Sequence, residues 1–257
     1  MTQKQSFIVC EGYHDRSFFT GWLHRVSCSG DRDTKDPSGS RLGGGQYGFY
    51  SNDKNFIKVI PCEGDKDVLR EAKILLNQTA DKTPDYLILN LDPDIESDNI
   101  QKTGKKLSDV KYELEQQIKE DKISRILTYE TDRTWVAMTD PSDADVNVRV
   151  SLIRWEVLDQ PDCPGLPTKQ CLERIVCCAI LRAYPDRAQL VQNWLISLGE
   201  GKKLIPKSHS WSYMAGWFAE KGCDDFLQAI WRDENIAREL EDILTQNGSL
   251  ELIQQIL

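Results

Sequence analysis

Apolar residues gather along this chain in short runs that alternate with helical stripes. Phe7 to Cys10 is one such run, and Phe18, Phe19, Trp22, Leu23 and Val26 follow at helical spacing, so a strand, a turn and a helix are expected there. Phe56 to Ile60, halted by Pro61, predicts a second strand, and Val68, Ala72, Leu75 and Leu76 predict a helix over 67–77. Tyr86 to Leu91 is almost unbroken, the pattern of a central parallel strand covered on both faces. A charged amphipathic helix is expected over 107–118 and a fourth strand over 123–129. The order β-α-β-α-β-α-β predicts an α/β fold, a parallel sheet with right-handed crossovers and helices on both faces.

Beyond Glu130 the pattern changes. Val146, Val148, Val150 and Leu152 alternate with polar residues, which predicts one half-exposed edge strand within 146–157. From Thr168 the stripes are helical: Leu172, Ile175, Val176, Ala179 and Ile180, then Leu190, Val191, Trp194, Leu195 and Leu198, then Phe226, Leu227, Ile230 and Trp231. The expected organisation is an α/β domain over 1–135 and a mainly helical carboxyl-terminal domain over 136–257. Between Ser27 and Ser51 the composition shifts to Gly, Ser, Asp and Arg, which predicts a long flexible loop, either a substrate lid or disordered. Gly43-Gly44-Gly45-Gln46-Tyr47-Gly48 formally matches G-x-G-x-x-G, but a loop precedes it and a strand follows, so dinucleotide binding is not expected.

Composition narrows the function classes. Thirty-two Lys and Arg against 41 Asp and Glu give a net charge of -9, the wrong sign for coating nucleic acid nonspecifically. An enzyme that grips nucleic acid locally, through metal ions and a few basic residues, stays open. No apolar run is long enough to span a membrane and the amino terminus lacks a secretory pattern, so a cytoplasmic protein without membrane association is expected. The eight cysteines include no Cys-x-x-Cys pair and read as reduced core residues.

Two acidic stretches carry the candidate chemistry. Glu11-Gly12 ends the first strand, and Asp92-Pro93-Asp94 ends the central one, at the strand ends where open α/β sheets hold ligands. Aspartates separated by one residue supply oxygen ligands of the kind magnesium takes, together with waters and substrate phosphate. Pro93 stops the pairing and stiffens the loop, and an ordinary Asp-Pro turn is the alternative meaning. Asp15 falls where a helix start favours an acid, so capping competes with metal binding there.

Together, Val9-Cys10-Glu11-Gly12-Tyr13-His14-Asp15 and Asp92-Pro93-Asp94 resemble the two motifs of the TOPRIM domain, shared by topoisomerases, DnaG-type primases and OLD-family nucleases. The resemblance covers roughly the first half of the chain. It implies a TOPRIM-type sheet in which Glu11 acts as general acid or base or as metal ligand, with Asp92 and Asp94 binding Mg2+, for which Mn2+ would be a substitute. Ile95-Glu96-Ser97 departs from the Arg-Glu-Gly of topoisomerases, and the strand-passage and primase modules are missing, so a small standalone or OLD-like nuclease is implied. Such proteins further use an acid and a late lysine. Glu130 and Lys207 are the candidates; Glu130 reads equally as a strand-end residue, and Lys207, beside His209, as a solvated side chain. Lys102, Lys105 and Lys106, and also Lys202 and Lys203, are either phosphodiester contacts or solvated faces.

The expected activity is therefore metal-assisted hydrolysis of DNA or RNA, in phage defence or repair, with nucleic acid as partner and a partner ATPase or a homo-oligomer as further possibilities. The alternative is a non-catalytic module that senses a nucleotide or phosphate, or recruits a protein.

Overall fold

A computed structural model describes residues 3–78, 83–93, 107–120, 126–131, 133–138, 147–157, 170–197, 210–211, 214–215, 217 and 221–257. Contacts divide the chain into two compact units. The first holds Met1–Leu91, Lys105–Ile153 and Glu251–Leu257; the second holds Asp92–Gly104 and Arg154–Leu250.

The first unit is built on an eight-stranded sheet. In chain order the strands are β1 (Gln5–Cys10), β2 (Ser29–Asp31), β3 (Tyr47–Tyr50), β4 (Phe56–Pro61), β5 (Tyr86–Leu91), β6 (Ile126–Tyr129), β7 (Thr134–Met138) and β8 (Asn147–Arg154). Their spatial order is β2-β3-β4-β1-β5-β8-β7-β6. β1 is central and pairs in parallel with β4 on one side and β5 on the other, as its two-sided apolar pattern requires. Phe7 and Val9 pack with Leu87, Leu89 and Leu91 on one face, against Val68, Leu69, Ala72 and Leu75 of helix α2 (Asp65–Leu76) and Val110 and Leu114 of helix α3 (Leu107–Glu120). The helix that follows β1, α1 (Tyr13–Arg25), buries Phe18, Phe19, Trp22 and Leu23.

Three features differ from the sequence pattern. The sheet is mixed: β2 with β3, β3 with β4, β6 with β7 and β7 with β8 are antiparallel. β8 is an interior strand between β5 and β7, with Val148, Val150 and Leu152 fully buried, and β7 runs across the boundary expected after residue 135. The segment 27–51 is a hairpin that extends the sheet edge through β3. Its glycine-rich turn leads into strand β3, as expected.

The hairpin is pinned to the first turn of α1. The Arg16 guanidinium lies 4.2 Å from the Tyr47 ring centre and 4.9 Å from that of Tyr13, and its Nη1 donates to the Gly45 carbonyl at 2.9 Å. Stacking and a charge-assisted hydrogen bond thus hold a segment that has few apolar side chains of its own.

The described part of the second unit is helical: α4 (Leu172–Ala183), α5 (Pro185–Ser197), α6 (Cys223–Ala229), α7 (Glu234–Gln246) and the start of α8 (Ser249–Gln254). Ile175, Val176, Ala179 and Ile180 are buried on α4, as are Ile236, Ala237, Leu240 and Ile243 on α7. Asp233 caps α7, accepting from the backbone N–H groups of Asn235 and Ile236, and takes the Tyr184 hydroxyl at 2.8 Å. The stripe expected on α5 is buried only in part: Leu195 is buried and Val191 half-buried, while Leu190 and Trp194 are exposed, and Ala188 is buried as well. No helix among the described residues is long and apolar enough to cross a membrane.

Candidate functional site

The parallel register aligns Cys10 of β1 with Asn90 of β5, so the two strands reach the same edge of the sheet together. Glu11 follows β1 and is half-buried. Gly12, in extended conformation, turns the chain into α1, and its carbonyl accepts the first helical bond from the Arg16 N–H at 3.2 Å. Asp15 lies in the first turn of α1 but is buried, and its carboxylate would be 3.5 Å from a Cβ added at Gly12.

Beneath this edge the sheet carries polar groups on an apolar plane. Cys10 is fully buried, and burial, followed by the Asp15 charge, pushes its thiol well above the usual range. Its Sγ contacts the Gly12 and Ile60 carbonyls, each at 3.6 Å. Burial and then the Glu71 carboxylate push the Cys62 thiol up to about 12. Both cysteines are free, as are Cys28, Cys171, Cys177, Cys178 and Cys223.

Asn90 is a residue that the motifs did not single out. It is fully buried, and neither its amide oxygen nor its amide nitrogen has a hydrogen-bond partner among the described residues. A buried carboxamide left in this state costs about 1–3 kcal/mol, so its retention at a strand end marks a place where a polar ligand or water would be held. The signal in the sequence was the single polar residue inside Tyr86 to Leu91.

Asp92 is the first residue after β5 and belongs to the second unit, where it is half-buried. In that unit its charge and that of Glu173 both bear on the Cys171 thiol at the start of α4. Burial, then Glu173, then Asp92 hold this thiol well above its usual range. Glu173, 2% exposed, is a second buried acid that the sequence patterns did not single out.

Glu130 is not placed with Glu11. Its carboxylate makes a two-pronged ion pair with Arg149, at 3.0 and 3.2 Å, beside a cavity of about 320 Å³ that Lys4, Asp85 and Tyr86 also line. Lys4 and Asp85 precede β1 and β5, so this cavity lies toward the strand starts, and Glu130 is engaged there, away from the Glu11 edge. The cause is the antiparallel run of β6, β7 and β8, which carries the fourth expected strand to the far margin of the sheet.

Asp94, Lys102, Lys105, Lys106, Lys202, Lys203, Lys207 and His209 lie outside the described residues. Among the described residues no group of three His, Cys, Asp or Glu side chains is arranged to hold a metal ion. Glu11 and the buried Asn90 amide are oxygen-bearing groups on adjacent strands of the first unit.

The architecture has a precedent. Hypothetical protein PH0156 from Pyrococcus horikoshii OT3, known from a crystal structure, superposes with a TM-score of 0.61 over 99% of both chains at 15% identity. At that identity PH0156 shows the fold alone. An integron cassette protein from the mobile metagenome of V. cholerae, 9% identical over 59% of this chain and 96% of its own, has a TM-score of 0.17 and carries no argument. No family model and no curated protein matches the sequence.

Proposed function

We propose that the protein is a magnesium-dependent nuclease of TOPRIM type, hydrolysing phosphodiester bonds in DNA or RNA. The observation that carries the proposal is the parallel register of β1 and β5, which brings Glu11-Gly12 and the strand leading to Asp92-Pro93-Asp94 to one sheet edge, beside the unpaired amide of Asn90. By the TOPRIM resemblance, Glu11 and the aspartates of Asp92-Pro93-Asp94 are each candidate ligands of the cation, and Mn2+ would replace Mg2+. When bound, the cation polarises the phosphate and supplies an activated water. Glu11 moves the proton or completes the oxygen shell. Gly12 lets the backbone turn next to it, and the buried Cys10 beneath stays a neutral thiol that does not compete for the metal.

A second reading is a module that binds a nucleotide or a phosphate end without turnover. The net charge of -9 favours it, since extended nucleic acid is repelled while a small ligand is not. Incubation with mixed DNA and RNA across a Mg2+ and Mn2+ titration separates the two. Cation-dependent cleavage is the expected outcome; retention of nucleotide with no cleavage under any metal condition would exclude the nuclease.

A further inference from the structure

A second cavity in the first unit, of about 560 Å³, lies toward the amino-terminal ends of β1 and β4, where Gln5 and Phe56 line it, away from the Glu11 edge. Its floor is Phe7 and Lys58 on neighbouring strands, and its rim is the turn Asp36 to Ser40 from the β2–β3 hairpin. Two opposite charges face this one space without joining. The Lys58 ammonium sits 4.9 Å from the centre of the Phe7 ring and makes no hydrogen bond or ion pair among the described residues. The Asp36 carboxylate is fixed by its own turn: its Oδ1 accepts the Ser38 hydroxyl at 2.6 Å and the Ser40 N–H at 2.8 Å.

Both groups carry the marks of this arrangement. Burial pulls the Lys58 amine below its usual range, against the Glu71 and Asp36 carboxylates, which favour its charge. Burial works against the charge of the Asp36 carboxyl, but the Ser38 and Ser40 bonds prevail and hold it below its usual range. A half-buried ammonium over a ring face lacks hydrogen-bond acceptors, and a carboxylate has acceptor capacity beyond the bonds its turn supplies. A simple anion at Lys58 would meet the fields of Asp36 and Glu71, and a simple cation at Asp36 would meet Lys58. A molecule carrying both charges satisfies each wall, while the aromatic floor and the Gln5 amide accept its remainder.

We infer that this cavity is a binding site for a small zwitterion, a free amino acid or a dipeptide, whose carboxylate meets Lys58 and whose ammonium meets Asp36. The site is independent of the nuclease proposal, because no residue is shared with the Glu11 edge. A panel of free L-amino acids and dipeptides, tested on the full chain by thermal shift and then calorimetry, decides it. At least one member with an aromatic or long side chain is expected to bind. Its N-acetyl and carboxamide derivatives, and the Lys58→Met and Asp36→Asn variants with the parent ligand, should each bind about tenfold or more weakly. Lys58→Met keeps the apolar stem on Phe7, and Asp36→Asn lies in a surface turn, so both should stay folded, as their circular dichroism would show. No binding by any member, equal binding of the blocked derivatives, binding of acetate or phosphate as tight as that of the zwitterion, or undiminished binding by both variants would each overturn the inference.

Discussion

Cys10 on β1 is level with Asn90 on β5, and an acid follows each: Glu11 one residue on and Asp92 two. On the nuclease proposal these acids are required for turnover and dispensable for folding. Glu11→Gln and Asp92→Asn should each lower metal-dependent cleavage by about 100-fold or more while leaving the far-ultraviolet dichroism unchanged. Cleavage at parental rates by either variant removes that residue from the site.

Asn90 offers a test of function against stability. Leucine has a similar volume and no polar atoms, so Asn90→Leu relieves an unsatisfied burial and should raise unfolding stability by about 1–3 kcal/mol. The same variant should lose the thermal stabilisation that Mg2+ or Mn2+ gives the parent. A variant that is more stable and still responds to metal would make the amide a packing residue only.

The turn of the hairpin has two glycines at positive φ with different surroundings. Gly44, at 59°, has nothing within 4 Å of an added Cβ, whereas at Gly45, at 73°, that Cβ would lie 2.9 Å from Tyr13 Cε1. Gly44→Ala should therefore cost only the backbone term, roughly 1 kcal/mol. Gly45→Ala should cost about 1 kcal/mol more, because the Tyr13 ring stacked on Arg16 must shift. Denaturant midpoints of the two variants give the difference, and equal midpoints would mean that the ring moves freely.

Cys62 sets an alkaline signature. Its thiol ionises near 9 in an unfolded chain and is pushed up to about 12 here by burial and then by Glu71. Between these values the unfolded chain sheds a proton that the folded one keeps, so the parent loses stability as pH rises through this window. Cys62→Ala removes that loss. The stability difference between variant and parent should be flat below pH 9 and should move in the variant's favour above it, as paired denaturation curves would reveal.

The sequence made the centre of the sheet legible, because β1 and β5 are apolar on both faces and few other structures give that pattern. β8 misled through its first half, where Val148 and Val150 alternate with Arg149; Ser151, Leu152 and Ile153 beyond are all buried. Its outer neighbour is β7, a strand of only five residues. β2, Ser-Gly-Asp, has no apolar residue at all and owes its place to β3, which Arg16 grips from another element. The strand-end position of Glu130 was readable from local pattern, but its distance from Glu11 depends on how three antiparallel strands stack, which no local pattern records.

Of the eight strands of the sheet, the central β1 is the first to be made. β1 pairs with residues 56–61 and 86–90, so it has no neighbour until β4 has been made and lacks the second until β5 follows. In that interval Phe7 to Cys10 is an apolar ribbon with both edges open, which is an aggregation hazard. On the nuclease proposal, a chain made only as far as β4 carries the first acidic motif without the second.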